Sequence, residues 1–268
     1  MQDNIGCKIV IFYIIALTLS IPGSVTAAGL NQKPAISIII DDIGYRIHDD
    51  LRAIGIPGPI ACAIMPLSPY AQKMSRLASN NGKLVLLHLP MESVTQEKNR
   101  LLGPGALMLD MTRDQFMHTL TADLNSLPQA VGVNNHMGSL LTSSHGRMEW
   151  LMKSLKQNNK FYIDSMTSRL SVASETAREN SVPYLKRDVF LDNEQTQEYI
   201  MSQLAELIRL ARTRGWAVAI GHPHPVTIQV LTRELQDLDK YDVRLVSLTD
   251  LIKIRSIAMK QHIAAIDN

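Results

Sequence analysis

Ala35-Ile36-Ser37-Ile38-Ile39-Ile40-Asp41-Asp42-Ile43-Gly44 is the stretch from which the rest of the chain is read. An apolar strand runs to Ile40, two adjacent carboxylates stand at its end, and Gly44 turns the backbone. Adjacent carboxylates repel and resist joint ionisation unless a cation or a proton is shared. An Asp-Asp step at a buried strand end therefore asks for a metal or for acid/base work. The plainer alternative is that one Asp caps the following helix and the other is solvated.

Beyond residue 35, short apolar runs alternate with helix-length amphipathic segments. Strands are expected near 35–40, 59–65, 83–88, 130–134, 160–164, 187–191, 216–221 and 243–247. Between them, Thr112 with Gln115 forms a capping box, Asn193 is placed to cap a long helix carrying Ile200, Leu204, Leu207 and Leu210, and Gly215 ends that helix. Strand and helix in repeated alternation imply parallel strands with crossover helices, either a closed barrel or a doubly wound sheet. The expectation is an α/β fold, a single-domain (β/α) barrel of seven or eight parallel strands.

Polar residues collect at the carboxyl ends of these strands. Asp41 and Asp42 follow the first, His88 the third, Asn134-Asn135-His136 the fourth, Asp164 the fifth, and His222 with His224 the strand at 216–221. In parallel β/α folds that rim is where substrates bind. His88 and Glu92 frame His88-Leu89-Pro90-Met91-Glu92, and Pro90 suits the first turn of a helix that would put both on one side of the site. Imidazole with carboxylate suits zinc or a neighbouring divalent metal. Glu92 is open between metal ligand, a residue orienting a ligating imidazole, and an ordinary helix-start acid. His136 faces His88 across the mouth and can complete a metal site. In Gly221-His222-Pro223-His224-Pro225 the prolines stiffen the loop, and His222 reads as a general acid in preference to a ligand. Arg187, Asp188 and Asp192 flank the sixth strand, where one of them can hold the catalytic carboxylate, although surface pairing is the commoner explanation. His48, His118 and His145 lie away from the strand ends and read as solvated.

Composition narrows the partners and the address. The net charge of +2 argues against nucleic acid, and an apolar share of 46% supplies a core of domain size. Met1 to Ala28 has the shape of a signal peptide: its apolar run, Ile9 to Ile21, is shorter than the roughly 20 residues of a membrane span, and small residues follow it. The expected organisation is a leader at 1–27 and a domain at 28–268, with periplasmic localisation and no stable membrane span after processing. Cys62 is then the one cysteine left, so no intrachain disulfide forms.

These motifs resemble the polysaccharide deacetylase superfamily, and specifically its divergent, exported bacterial branch, over nearly all of residues 35–255. Ile40-Asp41-Asp42-Ile43-Gly44 resembles the Asp-Asp-Gly step whose first Asp is the general base and whose second binds metal, here with one residue between the second Asp and the glycine. His88 to Glu92 keeps the spacing of a His-x-x-x-His metal pair, with Glu92 replacing the second His. Asn134 to Ser139 falls where the superfamily has an Arg-x-Pro-x-Gly turn and keeps only Gly138, so Asn135 or Arg187 would stand in for the lost arginine. Ile163-Asp164-Ser165 resembles the fourth motif without its Trp, and Ile220-Gly221-His222 the last, whose His protonates the leaving amine. The divergent branch itself carries the Asp-Asp, His-Leu-Pro-Met-Glu and Asn-Asn-His-Met-Gly-Ser signatures.

The resemblance implies a metal-dependent hydrolase that removes N-acetyl groups from a cell-envelope carbohydrate, with peptidoglycan the natural candidate. Asp41 and His222 would be catalytic. Asp42, His88 and His136 would hold a divalent metal, zinc being the first expectation, with Glu92 a further ligand or an orienting residue. Asn135, Gly138, Asp164 and His224 are the expected substrate contacts. The first alternative is an inactive envelope binding or scaffold protein on the same barrel. A phosphoesterase is the second, disfavoured because no Lys or Arg joins the rim motifs to clamp a phosphate.

Overall fold

In the computed structural model, which describes residues 33–266 and side chains at 33–261, β1 (Ala35–Ile43) lies at the heart of a curled, all-parallel sheet. The expected leader at 1–27 lies outside the described residues. After β1 the chain runs α1 (Ile47–Ile54), β2 (Ala61–Ile64), α2 (Ala71–Asn80), β3 (Leu84–Met91), α3 (Gln96–Asn99), α4 (Arg113–Ser126), β4 (Ala130–Met137), α5 (His145–Gln157) and β5 (Phe161–Asp164). It continues through α6 (Ala173–Glu179), β6 (Tyr184–Lys186), β7 (Val189–Phe190), α7 (Gln197–Arg214), β8 (Trp216–Gly221), α8 (Pro225–Glu234), β9 (Arg244–Leu245) and α9 (Leu248–Ile266).

Eight strands follow one path, β6-β5-β4-β3-β2-β1-β8-β7, and short β9 lies beside β1. The ends of that path are consecutive in sequence: only Arg187 and Asp188 separate β6 from β7. Three Cα steps span at most roughly 11 Å. The sheet has therefore curled until its edges nearly meet, as a (β/α) barrel open along one seam. Of the two linking residues, Arg187 N donates to Asp164 O on the β5 side and Asp188 N to Val218 O on the β8 side, both at 2.9 Å.

Side-chain alternation divides the strands into two layers. Ile36, Ile38 and Ile40 point outward and join a cluster with Met74, Phe116 and Leu120 of the surrounding helices. Ala35, Ile39, Ala63, Leu86, Ile163, Val218 and Ile220 fill the interior, and α9 adds Leu248 and Leu251. At Gly132 a Cβ would fall 2.4 Å from the Phe161 ring, so the glycine yields its interior position to that ring. Two residues further along each strand, the inward series continues into Asp41, His88, Asn134 and His222. The site is the polar top of the same column whose lower layers are the barrel core.

Several expected boundaries move. β3 does not stop at His88 but continues through Pro90 to Met91, so Pro90 opens no helix; its ring nitrogen has no N–H to lose, and its carbonyl accepts from Leu107 N at 2.9 Å. β4 likewise continues to Met137, and β6 is a further strand, outside the expected set. The capping box at Thr112 and Gln115 is present, and Gly215 ends α7 at φ +91°. Thr196, not Asn193, caps α7 by accepting from Tyr199 N at 3.2 Å, because the chain enters the helix three residues later than expected.

Gly44 carries the turn after β1 at φ +128°, and a Cβ there would lie 2.1 Å from Ser68 Oγ. Gly44→Ala should lower the unfolding free energy by roughly 1–3 kcal/mol through backbone strain and this clash. Urea unfolding monitored by circular dichroism checks it; an unchanged midpoint would show that the turn tolerates a side chain.

Candidate metal centre

A regular strand sends neighbouring side chains to opposite faces, yet Asp41 and Asp42 both reach the barrel mouth. The register of β1 against β2 slips between Ile40 and Ile43, and Asp42 takes the left-handed conformation at φ +58°. The bulge turns Asp42 back over the mouth. A buried carboxylate, Asp50, holds the turn in place: its Oδ2 accepts from Gly44 N at 3.0 Å and Arg46 N at 3.2 Å.

Asp42 Oδ1 lies 3.1 Å from His88 Nε2 and 3.0 Å from His136 Nδ1, and those two nitrogens are 3.2 Å apart. The triangle is nearly equilateral and close to the roughly 3.3 Å separation that tetrahedral ligands at about 2.0–2.1 Å from zinc impose on one another. The imidazole rings meet edge to face at 73°, converging rather than stacking. His88 Nδ1 faces Asn134 Oδ1 at 3.0 Å, and Asn134 Nδ2 donates to Asp41 Oδ1 at 2.8 Å. The carboxamide orientation thus makes His88 Nδ1 the N–H donor, so that in the neutral ring Nε2 carries the lone pair. Asp42 Oδ1 is buried with no well-formed hydrogen bond in spite of its two close nitrogens. Acceptor atoms directed at one point fit a divalent cation, and this donor set, two imidazoles and a carboxylate, suits zinc chemistry.

The two carboxylates are driven apart electrostatically. Burial raises the Asp41 carboxyl above its usual range, and the charges of His88 and His222 only partly offset this. Burial pushes on Asp42 too, but the imidazoles of His136 and His88 overrule it and hold the group below the usual carboxylate range. Asp42 is ionised and ready to ligate, while Asp41 is the more basic of the pair.

Across the mouth, His222 Nε2 is 3.9 Å from Asp42 Oδ2. Its Nδ1 faces Asp192 Oδ1 at 2.9 Å, and Asp192 Oδ2 accepts from His222 N at 2.7 Å and Thr227 Oγ1 at 2.8 Å. Burial alone would lower the imidazole, but Asp192 and Asp42 prevail and raise it to about 9. Phe190 packs beside the ring with centroids 5.1 Å apart. His224 lies next to it and meets Gln195 Nε2 at 3.2 Å.

The other expected site residues are placed differently. Asn135 follows outward-facing Val133, so it points to the helix layer, where its Oδ1 accepts from Tyr162 Oη and Ser165 N and its Nδ2 donates to Met137 O. Asp164 has the same outward parity; its oxygens accept from Met166 N and Ser171 Oγ. Neither carries its side chain into the mouth. Glu92 is no ligand here, because β3 continues past Pro90 and carries it beyond the mouth, where its Oε2 accepts from Leu109 N at 2.5 Å. Gly138, at φ +88°, turns the chain after β4, and its carbonyl accepts from Thr142 N and Oγ1.

Asn134, not Asn135, touches Asp41. Arg187 donates to Ser165 O and Met166 O and stacks on Phe190, making its influence on Asp41 one of charge across space. Asp188 pairs with Arg214 and accepts from Val218 N, outside the site. His48, His118 and His145 are exposed, the last beside Glu179. Arg46, which belongs to none of the motifs, joins Asp42 and His136 at the rim, so a cation does stand there.

The sequence pattern of the divergent polysaccharide deacetylase family matches residues 38–252. The uncharacterized protein YibQ of Escherichia coli is 37% identical over 217 residues, covering 81% of this chain and 67% of that protein. An uncharacterized protein of Haemophilus influenzae is 37% identical over 216 residues, covering 81% of this chain and 76% of its own. Among solved structures, an uncharacterized protein from Agrobacterium tumefaciens superposes with a TM-score of 0.79 at 20% identity, over 82% of this chain and 89% of that one. At that identity the likeness is one of fold.

The raised proton affinity of His222 depends on Asp192. In Asp192→Asn the His222 titration, followed by NMR of the imidazole protons, should move down by at least about one unit, equivalent to about 1.4 kcal/mol of lost interaction with the imidazolium. A titration left near 9 in the variant would show that Asp42 alone sets it.

Proposed function

We propose a function from this premise: the chain belongs to the divergent polysaccharide deacetylase family. The reading is a metal-dependent amidohydrolase that removes acetyl groups from an N-acetylated carbohydrate of the cell envelope, with peptidoglycan the first substrate to try and the periplasm, reached through the leader at 1–27, as its location. The observation that carries it is the triangle of Asp42 Oδ1, His88 Nε2 and His136 Nδ1, with a more basic carboxylate on one side and a protonated imidazole on the other.

Asp42, His88 and His136 would hold a divalent ion, zinc by the ligand set, which would supply Lewis acidity toward the acetyl carbonyl and a lowered pKa of water. The remaining work belongs to the chain. Asn134 occupies Asp41 Oδ1, which leaves Oδ2, 3.6 Å from His88 Nε2, facing the mouth to take a proton from the attacking water. His222, charged because Asp192 and Asp42 favour its imidazolium, gives a proton to the amine nitrogen as the C–N bond breaks. Water's oxygen ends on the acetyl carbon, and acetate leaves with a free amine on the sugar. Asp192 is a positioning residue: it fixes the ring of His222 and sustains its charge.

The alternative, an envelope binding protein without turnover, draws support from one feature. A neutral carboxamide, Asn134, holds Asp41 where the wider superfamily uses an arginine.

Acetate release from an N-acetylglucosamine oligomer, measured beside metal content, separates the duties of the two carboxylates. Asp41→Asn should retain metal and lose roughly 100-fold or more in rate, as removal of a general base does. Asp42→Asn should lose metal and rate together. Metal loss in Asp41→Asn with retention in Asp42→Asn would reverse the roles, and no acetate from the parent protein would leave the binding reading. The rate should also fall as pH rises through about 9, where His222 gives up its proton, and in Asp192→Asn the fall should begin at lower pH.

A further inference from the structure

Beside the three ligand atoms stands a cation, Arg46, whose ion pair to Asp49 is a long one. Arg46, with Asp42, Tyr45, Met65, Leu101 and His136, lines a cavity of about 240 Å3. Its backbone is fixed, because its N–H donates to buried Asp50. Its guanidinium is half exposed, and the contact to Asp49 Oδ2, three residues on, is 3.8 Å, too long for a hydrogen bond and of little worth at an exposed position. Arg187, also a cation near the mouth, donates to the carbonyls of Ser165 and Met166 and is not free to turn.

The walls around Arg46 suit a sugar. Tyr45 is 43% exposed and Leu101 72%, unusually open for large apolar side chains next to a buried polar centre. Tyr45 is steadied from behind: a Cβ on Gly103 would lie 2.8 Å from its Oη, so the loop after α3 packs against the phenol. An aromatic ring held at the edge of a polar cleft offers a flat face to the C–H face of a pyranose. The cavity is smaller than the roughly 300–1,000 Å3 of sites that enclose a drug-sized ligand, so it takes one ring substituent and not a length of chain.

We propose that Arg46 is a specificity determinant: among N-acetylated sugars it selects those that present an anionic substituent, a carboxylate or a phosphate, beside the acetamido group. A planar guanidinium forms paired, charge-assisted hydrogen bonds to either anion. Asp42, the nearest negative charge in the same cavity, is engaged by His88 and His136, so the open pole of the cavity is Arg46. The inference rests on the deacetylase reading of the same site and names the class of sugar that it takes.

The test uses the metal-loaded full chain and three ligands: a neutral N-acetylglucosamine oligomer, one bearing a carboxylate and one bearing a phosphate. Titration calorimetry gives affinity and acetate release gives kcat/KM. The parent protein should prefer at least one anionic ligand by about tenfold or more in both measures, the size expected of a charge-assisted pair, and the better of the two identifies the anion. In Arg46→Gln the anionic-to-neutral ratio should fall to near one, and in Arg46→Lys it should be partly restored, since the charge remains and the fork is lost. Equal handling of neutral and anionic ligands by the parent protein, or a preference that survives in Arg46→Gln, overturns the proposal. Arg46-dependent anion binding without acetate release would remove the hydrolase reading and keep the anion site. Acetate release without charge preference would do the reverse.

Discussion

The slip of register between Ile40 and Ile43 is the constraint on which the site depends. Without it, adjacent Asp41 and Asp42 would point to opposite faces of β1, one into the barrel and the other into the helix layer. With it, a non-glycine residue sits at φ +58°, a conformation that costs on the order of 1 kcal/mol or more and persists only where the surroundings enforce it. The enforcement is visible. Asp50 accepts two backbone N–H groups of the turn, Gly44 provides the second left-handed step, and Ser68 fills the space that a side chain at Gly44 would need. Asp50 is itself fully buried, with one oxygen unpartnered, a further cost accepted to hold the turn.

Electrostatic differentiation follows from that geometry. Two carboxylates in one mouth cannot share the same environment and remain equally acidic. Asp42 faces two imidazoles and is driven down; Asp41, deeper and held by a neutral carboxamide, is driven up. Opposite displacement of neighbouring acids separates a ligand from a base. His222 completes the set from the far side, charged because it lies between Asp192 and Asp42. Asp41, Asp42, His88, Asn134 and His136 stand on buried strands, which hold side chains more firmly than loops do, and His222 directly follows β8.

Much of the fold was legible because isoleucine-rich runs separated by amphipathic segments leave few options other than parallel β/α units. The convergence of Asp42, His88 and His136 could also be read, since strand ends in such folds point to one rim. What escaped was parity. Ile39, Leu86 and Ile163 all point inward; counting by twos reaches Asp41 and His88 but passes over Asp164, and on β4 the same count from Gly132 selects Asn134 over Asn135. The longer reach of β3 escaped because Pro90 reads as a helix start, while in a parallel strand its carbonyl still pairs and only its missing N–H matters. β6, three residues long, is too short to leave a hydropathy signal. Arg46 lies in no motif and comes to the rim only because the turn at Gly44 folds back.

The central claim is that Asp42 Oδ1, His88 Nε2 and His136 Nδ1 surround one cation. X-ray absorption at the zinc edge, on protein purified without chelator, tests it most directly. The account predicts one equivalent of metal with nitrogen and oxygen neighbours at roughly 2.0–2.1 Å and the scattering signature of two imidazoles, lost in His88→Ala. No stoichiometric metal, or the same spectrum in His88→Ala, would contradict it.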